Sequence, residues 1–156
     1  MGDTALLQDS CAYIPKIGVE SLERLKAFEQ ELLSADQVIC FTQHSIHAGV
    51  YCRTLFMPKG TVITGALVKR STNIIVSGHV VAFMGDNEME YEGYAVLHGS
   101  AQRKQLFRAL EDTYLTMFFA TQAKTVAEAE EEFTDEAEML ASRRPDSLNH
   151  ITITGE

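Results

Sequence analysis

Two side chains in the run Val50–Met57 have the types and spacing to carry this chain's chemistry: Tyr51 and Arg53. Alternate residues of a strand share a face, so Tyr51, Arg53 and Leu55 project to one side. Cys52, Thr54 and Phe56 project to the other. Arginine is seldom buried without a partner. An inward Arg53 beside Tyr51 therefore calls for an anion, either a small ligand or a structural carboxylate. It would offer that anion charge-assisted hydrogen bonds beside an aromatic surface. On an outward face both would be ordinary surface residues, and the sequence leaves the face open. Lys69 and Arg70, just before Asn73, add basic groups that suit a phosphate or carboxylate; the competing reading is a solvated loop. His98 stands at a strand end before Gly99. The expected ligand-binding set is Tyr51, Arg53, Lys69, Arg70, Asn73 and His98.

The remaining histidines carry less. His44 and His47 form H-x-x-H, but no H-E-x-x-H surrounds them and residues 43–49 read as a connection. They are expected at the surface or the mouth of the fold. A non-standard metal site would draw first on His44, His47 and His98, though their spacing gives no reason to expect one. No glycine-rich phosphate loop, nucleophile elbow or paired-cysteine motif is present. No catalytic residue, metal ligand or cofactor is expected.

These residues sit in a β-rich stretch. Short runs of β-formers between 38 and 121 are separated by Gly, Asn and Asp at short spacing, the pattern of an all-β barrel or sandwich. Expected strands cover 38–42, 50–57, 62–68, 73–76, 79–84, 94–97, 104–110 and 114–120, with Ser77-Gly78 as a hairpin turn. Residues 85–88 read as a polar loop. Before the stretch, Val19, Leu22, Leu25, Phe28, Leu32 and Leu33 recur at helical spacing and predict a helix over 19–34. After it, Thr125 and Glu128 form a capping box that opens a helical segment over 125–144. Thr134-Asp135 allows a break near Phe133, and Pro145 ends the segment. The tail, 145–156, alternates apolar and polar residues and suits an edge strand, in its own sheet or a neighbour's.

The chain has 156 residues, 46% hydrophobic and 22% charged, the makeup of one globular domain spanning 1–156. Its net charge of −9 disfavours non-specific binding to nucleic acid. Much of the acid lies between Glu128 and Glu138, while the β-rich stretch holds Arg53, Lys59, Lys69, Arg70, Arg103, Lys104 and Arg108, so a positive mouth is compatible with an acidic protein. No apolar run reaches the length of a membrane span, and no signal peptide is visible. Cys11, Cys40 and Cys52 form no C-x-x-C and read as free thiols in a reducing compartment, hence a cytoplasmic location.

Y-x-R-x-x-x-M-P-K-G-T-V-I-T-G, then N-I-I-V-S-G, G-Y-A-V-L-x-G and A-L-E-D-T-Y-L-T, over residues 50–121, resembles the cupin superfamily, especially small single-domain cupin-like proteins of phages and bacteria. The resemblance implies a mainly β fold, a double-stranded β-helix (jelly-roll) barrel with an N-terminal helix and a C-terminal helical segment. Metal-dependent cupins place His-x-His, a Glu and a later His inside the barrel. Here the corresponding residues 65–73 contain no His or Glu, and 99–108 contain no His. With those ligands missing and Tyr51, Arg53, Lys69 and Arg70 able to supply stacking and charge-assisted hydrogen bonds, the expected function is a metal-independent, non-enzymatic module that binds a small anionic molecule, such as a nucleotide-derived signal; the resemblance implies a phage-associated one. A phage-encoded member would work in the host cytoplasm. The alternatives are a metal-independent enzyme acting on a sugar nucleotide or organic acid, and a virion or assembly protein. Edge strands of a single small barrel need covering, so a homodimer or higher homo-oligomer is expected.

Overall fold

Glycines 78 and 93 face each other across the long hairpin that shapes this molecule, and both have positive φ, 142° and 85°. The computed structural model describes residues 12–84 and 87–156. In chain order the elements are β1 (Tyr13–Ile14), α1 (Val19–Leu32), β2 (Phe41–His47), β3 (Val50–Met57), β4 (Val62–Thr64), β5 (Thr72–Met84) and β6 (Asn87–Gly99). Then follow β7 (Leu106–Ala109), β8 (Thr113–Ala120), α2 (Val126–Phe133), two 3-10 turns (Ala137–Met139 and Ala141–Arg143) and β9 (Leu148–Ile153).

β5 and β6 pair along their whole length. Before Gly78, β5 also pairs with β8; beyond it, β5 pairs with β7 instead. The first half belongs to a layer ordered β1-β6-β5-β8-β3-β2-β9, and the second half continues through β7 to β4. The sheet path does not close into a ring. The two layers fold over one core that includes Met57, Ile74, Val76, Val80, Leu97, Phe107 and Leu115. Burying each such side chain favours the folded state by about 1.5–3 kcal/mol. The fold is mainly β, two sheet layers over one core, with a helix before them and a helical segment after them.

A second cluster closes one end. Ala129 and Phe133 of α2 pack with Ala137 and Leu140 against Ile46, Tyr51 and Phe119. Thr125 caps α2 by accepting from Glu128 N at 3.2 Å, while the Glu128 carboxylate accepts from Lys124 N rather than from Thr125 itself. The helix ends at Phe133, where the expected break lies. Thr134 accepts from Glu136 N and turns the chain into the two short turns. The tail joins its own sheet, with β9 parallel to β2.

Several boundaries differ from the expectation. Residues 43–49 are not a connection: Phe41–His47 is one strand, and the turn is Ala48-Gly49, with φ of 52° and 71°. Its inward positions, Thr42, His44 and Ile46, include two polar residues, which masks the apolar alternation. Ser77-Gly78 is not a hairpin but a bend inside β5. Gly78 is pressed against β8, where an added Cβ would lie 2.5 Å from Thr113 Oγ1 and 2.6 Å from Asp112 O. The expected strand 62–68 stops at Thr64: Gly65 N adds one more bond, to Gln105 O, and then the chain leaves the register, with Lys69 N turning to Phe133 O. Val68 keeps a single bridge to Arg103. Asn87 and Glu88 belong to β6 rather than a loop. Gly85, Asp86 and Cys11 lie outside the described residues. Among those described, no helix is long and apolar enough to cross a membrane.

Candidate functional site

The inward face of β3 divides into two environments. Toward the end closed by α2, Tyr51 is completely buried, stacked beside Phe133 at 6.5 Å and edge-on to Phe119 at 5.5 Å. Its hydroxyl lies 2.8 Å from His44 Nδ1, and His44 Nε2 lies 2.7 Å from Asn149 Oδ1. Asn149 Nδ2 donates to Ser142 O and Ser147 Oγ, so its Oδ1 is the acceptor for His44. A neutral His44 then carries its proton on Nε2, and the Tyr51 hydroxyl donates to Nδ1.

Arg53 is inward too, and its anion is internal. NH1 donates to Glu130 Oε2 at 2.8 Å and NH2 to Ser142 Oγ at 3.0 Å. Ser142 Oγ donates to the same carboxylate, and Arg143 Nε donates to Glu130 Oε1 at 2.9 Å. Burial alone would raise the Glu130 carboxyl. The bonds from Ser142 and Arg143 and the charge of Arg53 outweigh it and hold the group below the usual carboxylate range. Of the two anions the sequence left open for Arg53, the structure supplies the structural carboxylate.

The other expected ligands scatter. Lys69 pairs with the exposed Asp135 at 2.7 Å. Arg70 pairs with Glu132 at 3.1 Å and lies over the Phe119 ring at 4.3 Å. Both are tied to the α2 segment at the rim. Asn73 and His98 are cross-strand neighbours, with His98 Nδ1 3.0 Å from Asn73 Oδ1, but they point away from the core on the outer face of the sheet. They are not pocket residues: Ile74 and Leu97 beside them take the inward positions. The six residues therefore do not form one site. Nor do the three histidines named for a metal converge. His44 is buried, whereas His47 bonds to Thr154 at the surface and His98 is outside. Among the described residues no group of three His, Cys, Asp or Glu is placed to hold a metal ion.

A cavity of about 470 Å³ opens between the layers, on the other side of Arg53. That volume suits a small molecule. Leu55, Ile63, Ile74, Phe107, Leu115 and Met117 give it apolar walls, and the end of α1 with the loop to Cys40 forms its rim. Neither Tyr51 nor His44 lines it. Among its polar lining residues, Arg103, Lys104 and Gln105 are consecutive and all buried, while Glu29, Asp36, Gln37, Glu136 and Arg144 also line it. Lys104 is neutralised, donating to Glu29 of α1 and to Gly65 O, each at 2.8 Å. This pin holds α1 against the barrel.

Arg103 differs. It is 2% exposed, and no carboxylate pairs with it among the described residues. NH1 donates to Ser100 O at 2.8 Å and Arg70 O at 3.3 Å, and NH2 donates to Thr72 Oγ1. Its Nε–H and the amide nitrogen of Gln105 are buried with no acceptor among the described residues. Desolvation pulls the guanidinium down to about 10, which leaves it charged at neutral pH. Gly99 makes room for it, since a Cβ there would overlap the guanidinium. Arg103, Glu130 and Ser142 were not singled out from the sequence. Glu130 read as one acid in a run, and its place beside the apolar stripe of Ala129 and Phe133 was the available signal. Arg103 read as one more basic residue, and only the Gly99 that accommodates it hinted at burial.

The His44 relay makes a pH prediction. Burial, the dominant cause, lowers the His44 pKa from its ordinary 6.5; the Asn149 bond opposes this only in part. The fold favours neutral His44. Its contribution is full above pH 6.5 and is lost as pH falls through the depressed folded value. The urea midpoint should fall between pH 7 and 5, and His44→Gln should flatten that slope. An unchanged slope would remove His44 from the relay.

No protein-family model matches the chain, and no curated protein matches it. Solved structures do. A cupin superfamily protein from Desulfitobacterium hafniense is 13% identical over 59% of this chain and 86% of its own, with a TM-score of 0.46. An RmlC-like cupin from Desulfovibrio desulfuricans is 18% identical over 57% and 92%, with a TM-score of 0.45. An RmlC-like cupin family protein from Methanocaldococcus jannaschii, with a double-stranded β-helix fold, is 12% identical over 56% and 85%, TM-score 0.45. At these identities and TM-scores no residue role or activity passes from them to this chain.

Proposed function

We propose that the protein is a binding module for a small anionic molecule with an apolar body, held in the barrel cavity beside Arg103. One observation carries this reading: a buried guanidinium with no carboxylate partner among the described residues, at the wall of an apolar cavity. Burying an unpaired charge is costly, and a bound carboxylate or phosphate would offset that cost. Two other cations at the cavity are already matched, Arg53 by Glu130 and Lys104 by Glu29, and Arg144 at the rim donates to Gln37 Oε1. The catalytic alternative draws on the His44–Tyr51 pair, but those side chains face the α2 cap rather than the cavity. Binding without conversion is therefore the better-supported reading. The free thiols Cys40 and Cys52 accord with a reducing, cytoplasmic setting.

Protein purified natively should release such a molecule on denaturation, and the same molecule should survive incubation with folded protein. An empty cavity in protein from every source, or a ligand converted on incubation, would reject the reading. With the released molecule in hand, Arg103→Met should weaken its binding by about 1.5–3 kcal/mol, the range for a hydrogen bond to a charged group. Calorimetric titration measures this directly; equal affinity would place the anion elsewhere.

A further inference from the structure

The outer face of the seven-strand layer carries no charge at all. Its positions are the outward alternates of β3 from Val50 to Phe56 and of β8 from Tyr114 to Ala120. β5 from Asn73 to Ser77 and β6 from Tyr94 to His98 continue it, as do the outward alternates of β2 and β9 and Tyr13 of β1. None of these residues is Asp, Glu, Lys or Arg, in a chain that is 22% charged. A sheet with one solvated face alternates apolar inside with polar outside. Here the outer positions include Phe56, Ile75, Tyr94, Val96, Tyr114 and Phe118. Phe56 and Tyr114 already pair across strands, with ring centroids 5.1 Å apart. Tyr94 is 68% exposed, Tyr114 51% and Val96 40%.

We infer that this face is the interface with a second copy of the chain, the two sheets packing face to face. Charge selects the occupant. Each copy carries −9, and the acidic α2 segment sits on the inner side of the sheet. The outer face lets two copies meet without opposing like charges, and a self-complementary patch is what a two-fold dimer requires. Flat sheet faces stack at about 10 Å with interdigitating side chains. Size agrees as well. Seven strands about 4.8 Å apart, each giving about six residues at about 3.3 Å, project an area of roughly 600 Å². With side-chain relief added, that approaches the roughly 800 Å² per partner of a stable complex.

Sedimentation at micromolar concentration tests this. The wild type should run at twice its 17.3 kDa. Tyr94→Glu and Tyr114→Glu, at positions exposed enough to spare the fold, should each raise the dimer dissociation constant at least about a hundredfold, with unchanged far-UV circular dichroism. Val19→Glu on α1 and Ile153→Glu on β9 should leave the dimer intact. Cys52, on the same face, gives a second measurement: its alkylation, mapped by peptide mass, should slow at least tenfold as protein concentration rises through the dissociation constant. A wild type that stays at 17.3 kDa overturns the inference. So does a dimer indifferent to both tyrosine variants, one broken by Val19→Glu or Ile153→Glu, or a Cys52 that reacts equally at all concentrations.

Discussion

Glu130→Ala should destabilise the protein by about 3–5 kcal/mol, the cost of removing one partner from a buried ion pair. The Glu130 side chain is 4% exposed and accepts from Arg53, Ser142 and Arg143. Its loss leaves the Arg53 guanidinium buried beside Tyr51 with no countercharge. The damage should extend past the helix, because Ser142 and Asn149 couple the same cap to β9. Urea denaturation measures it. Glu131→Ala, one residue on and largely exposed, should stay within about 0.5 kcal/mol of the wild type. Replacing Arg53 and Glu130 together by Met and Leu should recover part of the loss, since apolar substitution of a whole buried pair is far milder than breaking it. A loss below about 1 kcal/mol for Glu130→Ala would mean that the carboxylate is solvated and the cap loosely held.

Gly78→Ala should cost about 3 kcal/mol or more. A φ of 142° lies in a region that only glycine occupies readily, at a penalty of about 1–3 kcal/mol for other residues. Overpacking adds about 1–3 kcal/mol, because the new methyl would press on backbone atoms of Asp112 and Thr113 that cannot step aside. The position is where β5 leaves β8 for β7, so strain there acts on both layers. The measurement is the thermal or urea midpoint of the variant against Gly60→Ala, whose added Cβ meets nothing within 4 Å though its φ is also positive, at 86°. Equal losses at the two sites would show that backbone conformation alone matters and that β5 does not press on β8 at the bend.

The contrast between these two residues explains what the sequence could reveal. β3 and β8 were legible as runs of β-branched and aromatic residues bounded by turn residues, although apolar groups on both faces left their inward side open, and α1 because its stripe repeats at helical spacing. Thr125 and Glu128 announced α2 through local chemistry. What failed depended on partners distant in sequence. Gly78 looks like a turn residue, and only the closeness of Thr113 makes it a bend in an unbroken strand. Arg53 was correctly seen to need an anion, but its partner lies 77 residues away on a helix whose acids read as a solvated run. Asn73 and His98 were grouped with the pocket by their place near a barrel stretch. A shift of one residue turns a strand side chain to the opposite face, and both stand one step from the inward Ile74 and Leu97. Arg103 has only Gly99 as a local mark, because its distance from the carboxylates of the described residues is a property of the packed interior.

The most direct test of the binding site is native mass spectrometry of the wild type beside Arg103→Met, Lys69→Ala and His98→Ala, all purified identically. The account predicts a bound small molecule on the wild type, its retention by Lys69→Ala and His98→Ala, and its loss from Arg103→Met. Full retention by Arg103→Met, with loss from Lys69→Ala or His98→Ala, would contradict it.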